Sequence, residues 1–490
     1  MQNRPVSPVA IRLLLPPCGH PRSFICQSIA QHLHLSIAAI DFKYPSCCSR
    51  SHCRIPPEVT GPYQSAANRA IDIDPKKPTG VARSDTLKQH LLLPERNTFT
   101  IMGVYSNTVS FAQYRVNGEL PQQQERFEWL SAALQGRIFK SIEQSAEEQA
   151  EGWTCTDATD DPTFVAPGEF WRDRYLFFSY RRDQRRIPSA LLKSHIGRAE
   201  ADYLAKRPDL KRPPKREREE IADRTKLELL TRTLPAPSTV DLSWHMDNGL
   251  LTLFSSSSKA MERFEELFGK SFENLRVQVI YPYARAKALL DEADQEKLAA
   301  LNQAGSDAAL DEIQSNRWLG EEFLLWLLHG GLEGEGFKVC TKGQYDIGTP
   351  FSAWIDDKIQ LQGGGEDGPQ KVAVSGSQDK YLEARSALTT GKAISSAVIH
   401  LEKDELEWRF ALNAELFTFS SFKCPPVKVE REGVENISER ESAFYERMYL
   451  LEAGLQMFDS LLLQFLQQRL GDGWQTRLQE IATWLEGEQA

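Results

Sequence analysis

From Val104 onward, apolar and polar positions fall into repeating patterns that predict alternating strands and helices. VYSNTVSFAQYRV (Val104–Val116) is rich in β-branched and aromatic residues and predicts a strand. Phe127, Leu130, Leu134, Ile138 and Ile142 then recur at helical spacing, predicting an amphipathic helix with Pro121 in its first turn. Gly152-Trp153 closes this unit, and YLFFSYRR (Tyr175–Arg182) predicts the next strand. Pro188 opens a helix that reaches about Lys206. A loop with Pro208, Pro213 and Pro214 breaks it, and a second helix runs roughly Lys215 to Leu234, stopped by Pro235 and Pro237. Neither helix carries a broad apolar face, so the pair is expected to project from the body. VDLSWHM-DNG-LLTLFSS predicts a β-hairpin, with Asn248-Gly249 at the positive-φ positions of its turn. Ser258 or a neighbour caps a helix with Met261, Phe264 and Phe268, ended by Gly269.

The second half repeats the mixture. Leu275–Tyr281 predicts a strand, and helices follow near Ala284–Asn302 and Trp318–His329. Short strands surround FSAWI, KIQLQ and KVAVS, separated by the GGGEDG loop. A helix from Lys380 to about Thr390 precedes AVIHLEKDELEWRFALN, which predicts an antiparallel pair. Ser438-x-x-Glu441 has the form of a capping box. It opens the longest helix, whose seam is Phe444, Met448, Leu451, Leu455, Phe458, Leu462 and Phe465. That spacing serves a partner helix in another subunit or a core of its own chain. The pattern is α+β: antiparallel sheets with packed helices, a projecting basic helical pair and a long C-terminal helix. The expected divisions are an N-terminal extension over 1–101, an α+β domain over 102–274, a second over 275–430, and a helical segment over 431–490.

The 490 residues are 41% hydrophobic and 26% charged, within the range of globular proteins, and the net charge is −10. No apolar run approaches a membrane span, and IRLLL is cut short by Pro16 and Pro17, so no secretory signal is read and a cytoplasmic protein is expected. Five of the eight cysteines lie before residue 102. Cys18, His20, Cys26, Cys47, Cys48 and Cys53 invite a zinc module, but they lack paired ligand spacing. The aperiodic first 101 residues therefore read as a disordered extension, with Met102 as the expected natural start. Cys155, Cys340 and Cys424 stand apart and read as inert thiols.

Charge changes the picture at one place. Between Arg181 and Arg216 stand twelve basic residues: Arg181, Arg182, Arg185, Arg186, Lys193, Arg198, Lys206, Arg207, Lys211, Arg212, Lys215 and Arg216. Only Asp183, Glu200, Asp202 and Asp209 oppose them, giving +8 inside an acidic chain. Such an island is the electrostatic footprint of a phosphate-tracking surface, although a solvated helical face carries the same residues. Catalytic patterns are missing. Gly391-Lys392 is followed by Ala393 and lacks the earlier glycine of a phosphate loop, and no G-x-S-x-G, H-E-x-x-H or deaminase pattern occurs. Pro208-Asp209 has no downstream Glu-x-Lys strand, and Asp404, Glu405 and Glu407 read as a solvated hairpin turn. His195, His245, His329 and His400 are each isolated, and Trp153, Trp244 and Trp326 read as core. No catalytic group, metal or cofactor is expected.

From Met102 to about Gly471 the order of segments resembles the bacterial recombination-associated RdgC family. The landmarks are the opening VYS, Gly152-Trp153, RRIPSALLKSHI, the Lys/Arg-rich interhelical segment, LLTRTLP, the W-x-x-D-N-G-L hairpin (Trp244, Asp247–Leu250), SQDKYLEARSALTTGK (Ser377–Lys392) and the final long helix. The resemblance implies a homodimer closed into a ring whose positively charged hole encircles double-stranded DNA without sequence preference. It further implies association with the nucleoid and antagonism with RecA in recombination and replication restart. The family has also been labelled an exonuclease, and a metal-dependent exonuclease is the alternative reading. The family's basic interhelical segment falls on Lys206, Arg207, Lys211, Arg212, Lys215 and Arg216, and its glycine-lysine on Gly391 and Lys392. Two departures stand out: Gly376 and Ser377 where relatives can carry lysines, and Thr233 and Leu234 where relatives can show a bulky aromatic.

Overall fold

The structure, a computed structural model, describes residues 103–487 apart from 146, 332–335, 366–367, 376–379 and 428–436. The 1–101 extension with its candidate zinc ligands, the start at Met102, and Gly376 and Ser377 lie outside the described residues.

A 3-10 turn at Gly103–Tyr105 precedes β1 (Thr108–Gly118). There follow α1 (Arg126–Gln135), β2 (Gln149–Thr154), β3 (Trp171–Arg172) and β4 (Tyr175–Gln184). Next come α2 (Ser189–Ala205), α3 (Lys215–Arg232), β5 (Ala236–His245), β6 (Leu250–Leu253), α4 (Ser258–Ser271) and β7 (Leu275–Val279). Four helices follow: α5 (Pro282–Leu289), α6 (Glu292–Ala300), α7 (Ala309–Ser315) and α8 (Trp318–Gly330). After β8 (Phe337–Cys340), β9 (Pro350–Gly365) and β10 (Gly368–Ser375) comes α9 (Lys380–Thr389). The chain then runs through β11 (Ala393–Lys403), β12 (Leu406–Asn413) and β13 (Phe419–Lys423) to α10 (Ile437–Arg469) and α11 (Trp474–Glu486).

The α+β class is observed, with the strands joined as β10-β9-β11-β12-β13-β1-β6-β5-β4-β2 and every named pairing antiparallel. β1 is the shared member. Its first half pairs with β13, its second half with β6 and β7. Because successive strand residues face opposite ways, β1 sends Ala112 and Tyr114 into one core and Phe111 into the other. β4 does the same, with Leu176 and Phe178 on one side and Tyr175 and Phe177 on the other. Burial on both faces explains why YLFF reads as an unbroken apolar run rather than an alternation. α10 closes the second core. All seven seam residues are buried, and so are Leu450, Met457, Leu461 and Leu466 beside them, so the seam serves this chain's own interior.

Several elements depart from the sequence expectation. α1 stops at Gln135, nine residues beyond its start, and Pro121 lies ahead of it rather than in its first turn. Ile138 and Ile142 continue the helical spacing but not the helix. Past Gly136 the backbone of Arg137 and Phe139 bonds to Trp153 instead, at 2.9 and 2.8 Å. A β-carbon on Gly152 would stand 2.6 Å from the backbone of Phe139, so only glycine admits this approach. In the β5–β6 turn Gly249 alone takes positive φ; Asn248 contributes through its side chain, whose Oδ1 accepts from Leu250 N at 2.9 Å. α4 passes through Gly269 to Ser271; Ser257, the neighbour of Ser258, stands at its N-cap, without a side-chain bond to the helix. One predicted helix near 284–302 divides into α5 and α6, because Asp291 turns extended and caps α6 through Asp294 N. FSAWI and KIQLQ are one long strand, β9, which absorbs its irregularity as register shifts against β11. α10 already begins at Ile437, one residue ahead of the expected Ser438 cap.

One buried carboxylate makes a pH prediction. Asp241, nine-tenths buried, accepts from Val104 N at 3.2 Å and from Ser179 Oγ at 2.8 Å. Burial raises its pKa above the ordinary aspartate value, the charge of Asp157 adds to the rise, and the two hydrogen bonds oppose it. The folded chain thus holds a proton where the unfolded chain has lost it, so this group's contribution to stability falls as pH rises from about 4 through the raised value. Asp241→Asn can keep both hydrogen bonds, Oδ1 accepting from Val104 and Nδ2 donating to Ser179. It is expected to melt at or above the parent near about pH 7 and to flatten this part of the pH profile. A variant less stable than the parent across the whole range would contradict the assignment.

Candidate nucleic-acid interface

The basic island is built on a pair of helices inserted between two neighbouring strands. Gln184 at the end of β4 and Ala236 at the start of β5 are paired, so the chain leaves the sheet and returns to it at one place. Between them α2 and α3 pack on one another, and the 206–214 turn joins their far ends. Seventeen residues of α2 at 1.5 Å each put that turn about 25 Å along the helix from its first residue. Proline sets the boundaries. Pro188 and Pro214 immediately precede α2 and α3, where a missing N–H leaves no helical bond unmade. α3 buries Ile221, Thr225, Leu229 and Leu230, whereas no residue of α2 is buried.

Lys206, Arg207, Lys211, Arg212, Lys215 and Arg216 are all exposed, on or beside the turn. Among the described residues only two of the six have a side-chain partner. Arg216 pairs with Glu220 one helical turn on, at 3.1 Å, with its own side chain 89% exposed. Arg207 lies over the ring of Tyr203, 4.6 Å from its centre, and donates to the Tyr203 hydroxyl. Tyr203 was not among the residues expected from sequence, although its position in the last turn of α2, four before Arg207, is the available signal. Lys193 and Arg198 on α2 and Arg186 at its root are exposed as well.

Two of the twelve expected cations are corrected. Arg181 in β4 and Arg185 just past its end face inward because they alternate with Arg182 and Arg186, which are half-buried and exposed. Arg181 holds Asp183 through two bonds of 2.8 and 3.0 Å, reaches Asp160 at 2.5 Å and covers the Phe139 ring. Arg185 is 2% exposed and spends its guanidinium on backbone carbonyls: Ile142 at 2.8 Å, Glu143 at 3.0 Å, Glu147 at 3.3 Å, and Ser145. Arg182 is half-buried and donates to Gln149 Oε1 at 2.7 Å. Without Arg181, Arg185 and Asp183, the island keeps ten basic residues against three acidic ones.

Lys392 belongs to another neighbourhood. It follows α9, donates to Thr390 Oγ1 at 3.2 Å, and edges an open groove of about 560 Å³ lined by Val372, Leu382, Glu383, Ser386 and Ala387. These neighbours come from α9 and β10, not from the helical pair. Elsewhere, chemistry is thin. Among the described residues no group of three or more His, Cys, Asp or Glu side chains could hold a metal ion. Asp404 sits at the positive-φ corner of the β11–β12 turn, and Glu407 meets His400 Nδ1 at 2.9 Å. Cys155 and Cys424 are buried, and burial pushes the Cys424 thiol up to about 12; Cys340 is exposed. Trp153, Trp244 and Trp326 are wholly buried. No helix among the described residues is long and apolar enough to cross a membrane.

In comparisons with known proteins, residues 110–316 match the family model described as "Putative exonuclease, RdgC". No curated protein matches the chain.

Proposed function

We propose that the chain, whose residues 110–316 match the RdgC family model, is a member of that family and binds double-stranded DNA without regard to sequence. The observation that carries this reading is the set of exposed cations on the turn between α2 and α3, four of the six without an ion pair or ring partner among the described residues. Phosphate oxygens are the natural complement of such a surface, because neutralising them releases condensed counterions and requires no base contact. The surrounding acidity sharpens the effect by disfavouring DNA elsewhere on the body. Following the family resemblance, the chain acts as a dimer closed around duplex, associates with the nucleoid, and limits access of RecA during recombination and replication restart.

A second reading, metal-dependent exonuclease action, is favoured by the family description alone. End-labelled duplex incubated with the protein and Mg²⁺ or Mn²⁺ separates the two. Binding predicts a mobility shift with the label intact. Shortening that a chelator abolishes would establish the exonuclease, and no shift even at low salt would leave the protein as a scaffold with a merely solvated face.

A further inference from the structure

We propose that Arg185 and Glu148 are positioning residues that fix where the helical pair holds its basic turn, without touching DNA themselves. This deepens the DNA-binding reading above and rests on it. Arg185 stands at the root of the pair, three residues ahead of Pro188. Its guanidinium gathers the carbonyls of Ile142, Glu143, Ser145 and Glu147, and its backbone N–H donates to the carbonyl of Glu148 at 2.9 Å. A buried arginine so committed is costly to displace, because every carbonyl it leaves loses a charged donor. The same stretch is gripped from the other helix. The Glu148 carboxylate takes Lys226 Nζ of α3 at 2.9 Å, both side chains being about half exposed. One stretch of chain is therefore tied to the root of α2 and to the flank of α3. No residue of α2 is buried, so beyond the four buried residues of α3 its direction rests on such ties.

Positioning and phosphate contact differ in their salt signatures. A cation that neutralises a phosphate contributes roughly 0.9 to the slope of log affinity against log salt. A residue that only orients the turn changes affinity at every salt concentration and leaves the slope alone. Glu148 adds a sign test. Removing an acidic side chain near a DNA-binding surface should tighten binding by plain electrostatics, whereas losing a positioning tie should weaken it.

Binding of a random-sequence duplex is measured across a salt series for the parent, Arg185→Gln, Glu148→Ala and Lys206→Glu, with active fractions set by stoichiometric titration. The expected result is roughly three- to tenfold weaker binding for the first two variants, on lines parallel to the parent, from lost pre-organisation. Lys206→Glu should give a shallower line. A shallower line for Arg185→Gln, or unchanged or tighter binding by Glu148→Ala, overturns the proposal while the DNA-binding reading stands. If Lys206→Glu also binds like the parent, DNA binding through the turn fails instead. Should Arg185→Gln not fold, Glu148→Ala decides alone, since its side chain is half exposed.

Discussion

Phe458→Ala is expected to destabilise the protein by about 3–5 kcal/mol, the cost of deleting a large ring from a packed interior. Phe458 lies near the middle of α10 and is fully buried. Its ring stands 5.1 Å from Phe419, 5.6 Å from Phe417, 5.8 Å from Phe323 and 5.9 Å from Phe410, each nearly edge-on. The guanidinium of Arg285 covers it at 5.1 Å and is itself tied to Asp459 and Gln113. The groups around the ring come from α5, α8, β12, the β12–β13 turn and β13, so the cavity could not be closed by moving one side chain. Denaturant unfolding measures the loss, with exposed Glu446→Ala as a control expected within about 0.5 kcal/mol of the parent. Were the seam a surface for a partner chain, the loss would instead be small in dilute protein and grow with concentration.

The same helix shows what one-dimensional spacing conveys. Steps of four and three name the buried residues of α10 correctly, but they are identical for a coiled-coil seam and a core helix. The additional burial of Met457, Leu461 and Leu466 decides for the core, and that width appears only once the sheet is in place. The helical pair is legible almost to the residue, since Pro188, Pro214 and Pro235 punctuate it by removing N–H donors. α1 is overextended because Ile138 and Ile142 keep helical phase while their backbone answers to Trp153, a partner distant in sequence. The charge count over Arg181–Arg216 gathers one cluster of cations but includes two, Arg181 and Arg185, that the fold buries. A sum is blind to strand alternation, which sends Arg181, Asp183 and Arg185 inward together. Tyr203 and Glu148 escape notice for a related reason. Each matters through a neighbour, one through Arg207 and the other through Lys226.

The larger effect concerns binding. Glutamate at Lys206, Arg207, Lys211, Arg212, Lys215 and Arg216 reverses six exposed charges while leaving every buried residue of α3 in place. Both helices should therefore form, and circular dichroism should match the parent. Each cation that met a phosphate becomes an anion repelled by it, so the variant loses attraction and gains repulsion along one line of contact. For about six neutralised phosphates, the parent's log affinity should fall against log salt with a slope of about −5, close to a thousandfold loss between about 50 and 200 mM. A salt titration of random-sequence duplex binding, parent beside six-glutamate variant, is the most direct measurement. The steep line for the parent, with no measurable binding by the variant at salt where the parent saturates, is the predicted result. A variant that matches the parent in both affinity and slope would contradict the account.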